Sequence, residues 1–257
     1  MREIIDNYKY FADRRYSTLA GTLVYFLLMS ATPFLFWLAL LVGDVDFSHL
    51  VSHELFAAIS PILTYLQTSA KGATGSAGII LIVTSLWSST NFFYHLRRSG
   101  EIIYESKDNK SGIKLRLSSL FAVFLTIILI AVGAAIPFLS FAVLEFIMPE
   151  YIAQSISLIF LTMIAFFVAY LLNKFACPYK LSFEDTVNGV FLTVTLWLIC
   201  AAGFTVYLQF ANPQKLYGAV AAVIVFLLWC YIMINSLVVG MIYNSRFLRR
   251  RVERALL

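Results

Sequence analysis

Charge is scarce in this sequence, and the scarcity decides the class of protein. Only 13% of the residues are Asp, Glu, Lys or Arg, half of the ~25% usual in soluble domains. A chain of 257 residues with 61% apolar side chains cannot cover a water-facing surface with so few charges. The excess apolar surface needs lipid as its solvent. Metal-ligating residues are also few, with three cysteines and three histidines. Cys177, Cys200 and Cys230 share no disulfide or metal-ligand spacing, and they read as small apolar fillers. His49 and His53 lie one helical turn apart, with Asp44, Asp46 and Glu54 nearby. The His-Glu-x-x-His order of a metalloprotease is absent, and a solvated loop is the plainer reading. No Gly-rich phosphate loop, Ser-x-x-Lys or Gly-x-Ser-x-Gly occurs, and no region outside the apolar stretches is large enough for a catalytic domain. The chain is expected not to be an enzyme, with no catalytic residues, no metal and no cofactor.

What the sequence does contain is six long stretches without Asp, Glu, Lys or Arg. They are Leu19–Gly43, Gly72–Leu96, Leu117–Leu144, Tyr151–Asn173, Thr186–Gln214 and Leu216–Ser245. Each exceeds the roughly 20 residues that a helix needs to cross about 30 Å of hydrocarbon. Without water, each backbone amide must be paired inside its own segment, so helices are expected. The fold class is all-α, a polytopic six-transmembrane-helix bundle in one membrane domain over residues 1–257. Its spans fall at about 19–43, 72–96, 117–144, 151–173, 186–212 and 216–245. The first run is too long for a signal peptide and no small-x-small cleavage site follows it, so it is expected to stay as an anchor. Of the 19 Lys and Arg, all but Lys71 and Lys215 fall on one set of alternating connections and termini. By the positive-inside rule both termini are cytoplasmic, which requires an even number of spans. The expected location is a cell membrane that the chain crosses several times.

Three segments are expected to lie on the membrane. Ile4, Ile5, Tyr8, Phe11 and Ala12 recur at helical spacing among charges, as an interfacial helix does. The external segment Ser48–Ser69 has an apolar face broken by Pro61, and reads as a packed connector rather than a lid. The Arg246–Arg254 run reads as an anchor on anionic lipid headgroups of the cytoplasmic face. Nucleic acid is not expected as a partner, because these charges lie against the membrane. A homo-oligomer stays open. Pro33 and Pro137 are expected to bend the first and third spans.

One polar stripe stands out. Thr84, Ser88, Asn91 and His95 fall at i, i+4, i+7 and i+11 on one helix face of the second span. Asn235 and Ser236 in the sixth span lie at similar depth, and Asn188 lies near the cytoplasmic start of the fifth. Two readings compete. These residues line a substrate cavity open to the cytoplasm, rimmed by Arg97, Arg98 and Lys174, or they are interhelical hydrogen-bonding glue worth about 0.6 kcal/mol per contact. No charge lies inside the spans, which disfavours a proton-driven pump.

The last third of the chain carries Pro178, Asn188-Gly189, Trp197, Phe204, Tyr207, Tyr217-Gly218, Trp229, Tyr231, Gly240 and Asn244. With Ala20, Tyr25, Ser30 and Pro33 in the first span and Leu86-Trp87-Ser88 in the second, it resembles the YihY/virulence factor BrkB family of bacterial inner-membrane proteins. The resemblance implies six spans. It departs where the family has Gly-Ala-Glu and this chain has Gly240-Met241-Ile242, and where Ser99-Gly100 replaces an Asn. A ribonuclease label has travelled with that family. A hydrolytic nuclease needs a cluster of Asp, Glu or His to hold its metal, and the sequence shows none on the cytoplasmic side. The expected function is transport or export of a small anionic or lipid-linked solute. The rival is a membrane scaffold that binds partner proteins or anionic lipid.

Overall fold

The computed structural model describes residues 16–42, 83–84, 86–106, 112–139, 150–179, 181–210 and 219–255. Among them the fold is all-α. The helices are α1 (Tyr16–Val42), α2 (Asn91–Ile103), α3 (Gly112–Leu139), α4 (Glu150–Ala176), α5 (Phe183–Phe210) and α6 (Ala219–Ala255). The segments 4–12 and 48–69, residues 72–82 of the second span, and Tyr217-Gly218 lie outside the described residues. Helices α1 and α3 each continue as one element through Pro33 and Pro137.

The outer surface inverts that of a soluble protein. Phe121, Ile128, Leu158, Ile159, Phe191, Ile199 and Phe226 all point outward and are exposed. An apolar exterior of this extent requires lipid around it. Among the described residues, four stretches are long and apolar enough to cross a membrane: Gly112–Ile130, Ser155–Ala176, Phe183–Tyr207 and Ile224–Arg249. A shorter apolar stretch, Tyr16–Ser30, lies in α1.

Local chemistry sets several helix ends. The Ser182 hydroxyl accepts the Asp185 N–H (3.4 Å) and donates to Asp185 Oδ2 (2.7 Å), a side-chain N-cap at the start of α5. Glu184 and Asp185 also place negative charge on the positive end of the helix dipole. Helix α2 ends in a Schellman turn. The Ser106 N–H reaches Glu101 O (3.0 Å), the Glu105 N–H reaches Ile102 O (3.3 Å), and Glu105 takes φ 52°.

Helices α5 and α6 cross with their backbones in contact. A methyl group on Gly189 would run into the Gly240 carbonyl and Asn244, and one on Gly240 into Thr193 and the Gly189 carbonyl. Small residues allow this approach, and neutral hydrogen bonds then hold it. Asn244 accepts the Gly189 N–H (2.8 Å) and donates to Thr186 O (3.1 Å) and Asn173 Oδ1 (3.4 Å). One amide thus ties α4, α5 and α6 together. Trp197 adds an indole N–H to Met233 O at 2.9 Å.

Helix α2 departs most from expectation. It starts after a turn at Thr90 and runs on past Leu96 through Arg97, Arg98 and Glu101. Its buried face carries Phe92, Phe93, Leu96, Arg97, Ser99, Gly100 and Ile103. Asn91 reaches Arg116 near the start of α3, Phe93 and Gly100 meet the last turn of α4, and Ile103 O accepts from Ser245 of α6. Thirteen residues thus touch the same end of three different helices, so α2 lies across the basic end of the bundle.

Gly240→Ala should lower the unfolding midpoint of the purified protein in detergent, since overpacking a tight crossing costs about 1–3 kcal/mol. An unchanged midpoint would mean that α5 and α6 do not touch at Gly240.

Candidate functional site

The site begins with the turn at Thr90. Ser89 and Thr90 return their hydroxyls to Leu86 O (2.9 Å) and Trp87 O (2.7 Å), which competes with the main-chain ladder and favours a bend. A helix restarting at Asn91 leaves its first N–H groups without intrahelical partners. Ser30 of α1 meets one of them. Its hydroxyl accepts the Phe92 N–H (3.1 Å) and donates to Phe26 O (2.7 Å), with Ser88 O a second acceptor at 3.2 Å. Ser88 answers with a bond to Met29 O (3.3 Å), so α1 grips both sides of the turn.

On the other side of the turn lies Arg116. Its Nη1 donates to Asn91 Oδ1 (2.6 Å) and Thr90 Oγ1 (3.0 Å). Its guanidinium carbon sits 4.2 Å from the centre of the Tyr94 ring and 4.7 Å from that of Trp87. The aromatic faces favour the cation electrostatically. Among the described residues no carboxylate pairs with Arg116. Its two hydrogen bonds use Nη1 alone. That leaves Nε and Nη2, the edge of the guanidinium that matches a carboxylate or phosphate in bidentate fashion.

The polar stripe is divided by this arrangement. Ser88 and His95 face α1, and His95 stacks on Phe26 with ring centres 3.4 Å apart. Asn91 faces α3 through Arg116. Thr84 is exposed. Asn188 is exposed on α5, and no hydrogen bond joins it or Asn235 to the stripe among the described residues. Asn235 is half-buried, with an Oδ1 that meets no donor among those residues.

The three basic rim residues have three different settings. Arg97 is 7% exposed and donates Nη1 to Phe175 O (3.1 Å) and to Cys177 O. It satisfies carbonyls at the end of α4, where a cation also suits the helix dipole. Arg97 is therefore a buried clamp between α2 and α4. Arg98 bonds Glu101 Oε2 (2.7 Å) and lies 5.5 Å from the Tyr94 ring centre. Lys174 is exposed in the last turn of α4, with Nζ 3.4 Å from Tyr170 Oη. Cys177 is buried beside the clamp, and burial pushes its thiol above the usual range. That suits a filler rather than a nucleophile.

Arg116, Thr90 and Ser30 are functional candidates that the stripe alone did not reveal. A signal for Arg116 existed in its neighbours. Trp87, Asn91, Tyr94 and Arg98 also recur at helical spacing, as an aromatic and amide face looking for a cation.

Long helices with apolar outward faces, locked by neutral hydrogen bonds and small-residue crossings, define a multi-pass α-helical membrane protein. Residues 8–256 match the family described as Virulence factor BrkB, and the chain belongs to that family. It is similar to a Bacillus subtilis (strain 168) protein named "Putative ribonuclease-like protein YfkH", with 24% identity over 247 residues, 90% of each chain being covered. No solved structure matches.

Ser30→Ala should destabilise the protein by about 1–3 kcal/mol, because it strands the buried Phe92 N–H. Thr22→Ala, which removes only an exposed bond to Thr18 O, is the control and should leave the unfolding midpoint in place. Equal midpoints for both variants would dissociate Ser30 from the turn.

Proposed function

We propose that this protein transports or exports a small anionic or lipid-linked solute, without enzymatic chemistry, and that Arg116 is its anion contact on the cytoplasmic side. One observation carries the reading. A guanidinium is held at an interrupted helix by neutral groups, with its bidentate edge uncommitted. Broken helices beside a binding site recur in transporters, where the main chain is interrupted only against protein or a water-filled cavity. Asn91, Thr90, Tyr94 and Trp87 orient the cation, and Arg98, its charge paired with Glu101, shares the Tyr94 ring from the next turn. Ser88 and His95 serve the fold of the turn rather than the solute. Arg97 holds α2 in place, and Lys174 remains the outlying member of the rim. The ribonuclease-like name of the Bacillus relative points to phosphodiesters as one kind of anion that such an edge would hold. The groups that touch Arg116 are amide, hydroxyl and aromatic, which suits binding rather than cleavage.

The test compares anionic metabolite and lipid-linked pools on the two membrane faces. Cells lacking the protein are complemented with wild type or with Arg116→Gln at matched abundance. Wild type should restore a pool trapped on the producing side. Arg116→Gln should restore it at least about tenfold more slowly, the worth of one charge-assisted hydrogen-bonding contact. Full restoration by Arg116→Gln would remove Arg116 from the account. Unchanged pools with loss of specific proteins from the membrane would favour the scaffold instead.

A further inference from the structure

A cleft of about 440 Å³ opens between α3 and α4. Its walls run from Phe121 to Leu129 on α3 and from Phe167 to Phe175 on α4, and every lining side chain is apolar or aromatic except Lys174. Ala122 is its small, buried floor. Phe121 and Phe167 are 71% and 51% exposed at its lips, so the cleft opens outward to lipid rather than into the bundle. The two helices converge at one end of the cleft, where a methyl on Gly133 would come within 3.1 Å of Ile164. At the other end Phe93 of α2 meets Phe175 edge-on at 5.5 Å.

The dimensions select the occupant. Eight helical rises along each wall give a length of about 12 Å, close to one leaflet of a hydrocarbon core that is about 30 Å thick. A helix of that length and about 10 Å diameter would displace roughly 900 Å³, so it would stand proud of the cleft rather than seat within it. A free hydrated anion gains nothing from apolar walls. An acyl chain fits, and charge fixes the sign of its headgroup. Lys174 stands at the basic end of the cleft, and among the described residues no carboxylate pairs with it. Its ammonium has three donors, and only the Tyr170 hydroxyl (3.4 Å) is within reach among those residues. The end of the α4 dipole already accounts for a lysine in the last turn. It does not account for an open cleft of leaflet length leading away from it.

We propose that the α3–α4 cleft binds one acyl chain of an anionic phospholipid from the leaflet at the basic end, with the phosphate on Lys174 and within reach of the Tyr170 hydroxyl. The site does not depend on the transport reading, since it shares no residue with the surroundings of Arg116.

The experiment titrates the detergent-purified full chain with phosphatidylglycerol or phosphatidylcholine and counts bound lipid by native mass spectrometry. Wild type should hold one phosphatidylglycerol more tightly than phosphatidylcholine. Lys174→Gln should weaken phosphatidylglycerol binding by about fivefold, the worth of one lysine at an anionic surface, and leave phosphatidylcholine unchanged. Leu125→Trp, which fills the cleft, should weaken both lipids. Glycerol 3-phosphate, the headgroup chemistry without a chain, should not compete at millimolar concentration. Equal binding of the two lipids by wild type would overturn the proposal, as would phosphatidylglycerol binding unaffected by Lys174→Gln. Lys174 is exposed, so its variant keeps the test open even if Leu125→Trp does not fold.

Discussion

An amide that leaves a helical ladder away from water must find another acceptor, and the organisation of the basic end follows from how this chain provides one. At Thr90 the second apolar segment turns and restarts, and the Ser30 hydroxyl receives the Phe92 N–H. An unpaired N–H buried there would cost about 1–3 kcal/mol. With that cost met, α2 can lie across the bundle instead of continuing along it. The crossing brings Arg97 to the last carbonyls of α4 and Gly100 against Ala176. It also brings Ile103 to Ser245 of α6. Arg116 then has a turn of hydroxyl and amide oxygens to dock against.

Neutral side chains hold the crossing of α4, α5 and α6. Asn173, Asn244, Thr186 and Thr193 are fully buried, and each is satisfied by a neighbouring carbonyl or amide. Individual bonds of this kind contribute modestly in membranes, about 0.6 kcal/mol on average. Their larger effect is on register, since Asn244 can meet Gly189 only when the Gly189–Gly240 crossing is in place. Ile242, where the resembling family has a glutamate, is fully buried in the same apolar core. In this chain that position contributes packing, and a carboxylate there would need a partner of its own.

Much of the helical plan was legible because lipid imposes a simple rule. Uncharged runs must be helices, and α3 to α6 fall on four of the stretches so marked, over the residues the structure describes. Asn188-Gly189, Trp197, Gly240 and Asn244 were legible as a resemblance, and the structure gives most of them a contact between α5 and α6. The course of α2 was not legible. Arg97, Arg98 and Glu101 look like loop charges until a neighbouring helix end supplies carbonyls for the first of them. The stripe of Thr84, Ser88, Asn91 and His95 was read as one face, and two neighbouring helices share that face, α1 meeting Ser88 and His95 and α3 meeting Asn91. Arg116 looked like a topology charge because its value lies in neighbours on another helix, which spacing within one segment does not disclose.

The central claim is that α2 lies across the basic end after a turn, and cysteine scanning measures it directly. Single cysteines are placed along residues 91–105 in a cysteine-free background and exposed to a membrane-impermeant maleimide in inside-out vesicles. The account predicts a periodic pattern, with labelling at Tyr94, Arg98, Ile102 and Glu105 and protection at Phe93, Leu96, Gly100 and Ile103. A reactivity that instead fell steadily from 105 towards 91, without periodicity, would describe a straight helix sinking into the bilayer and would contradict it.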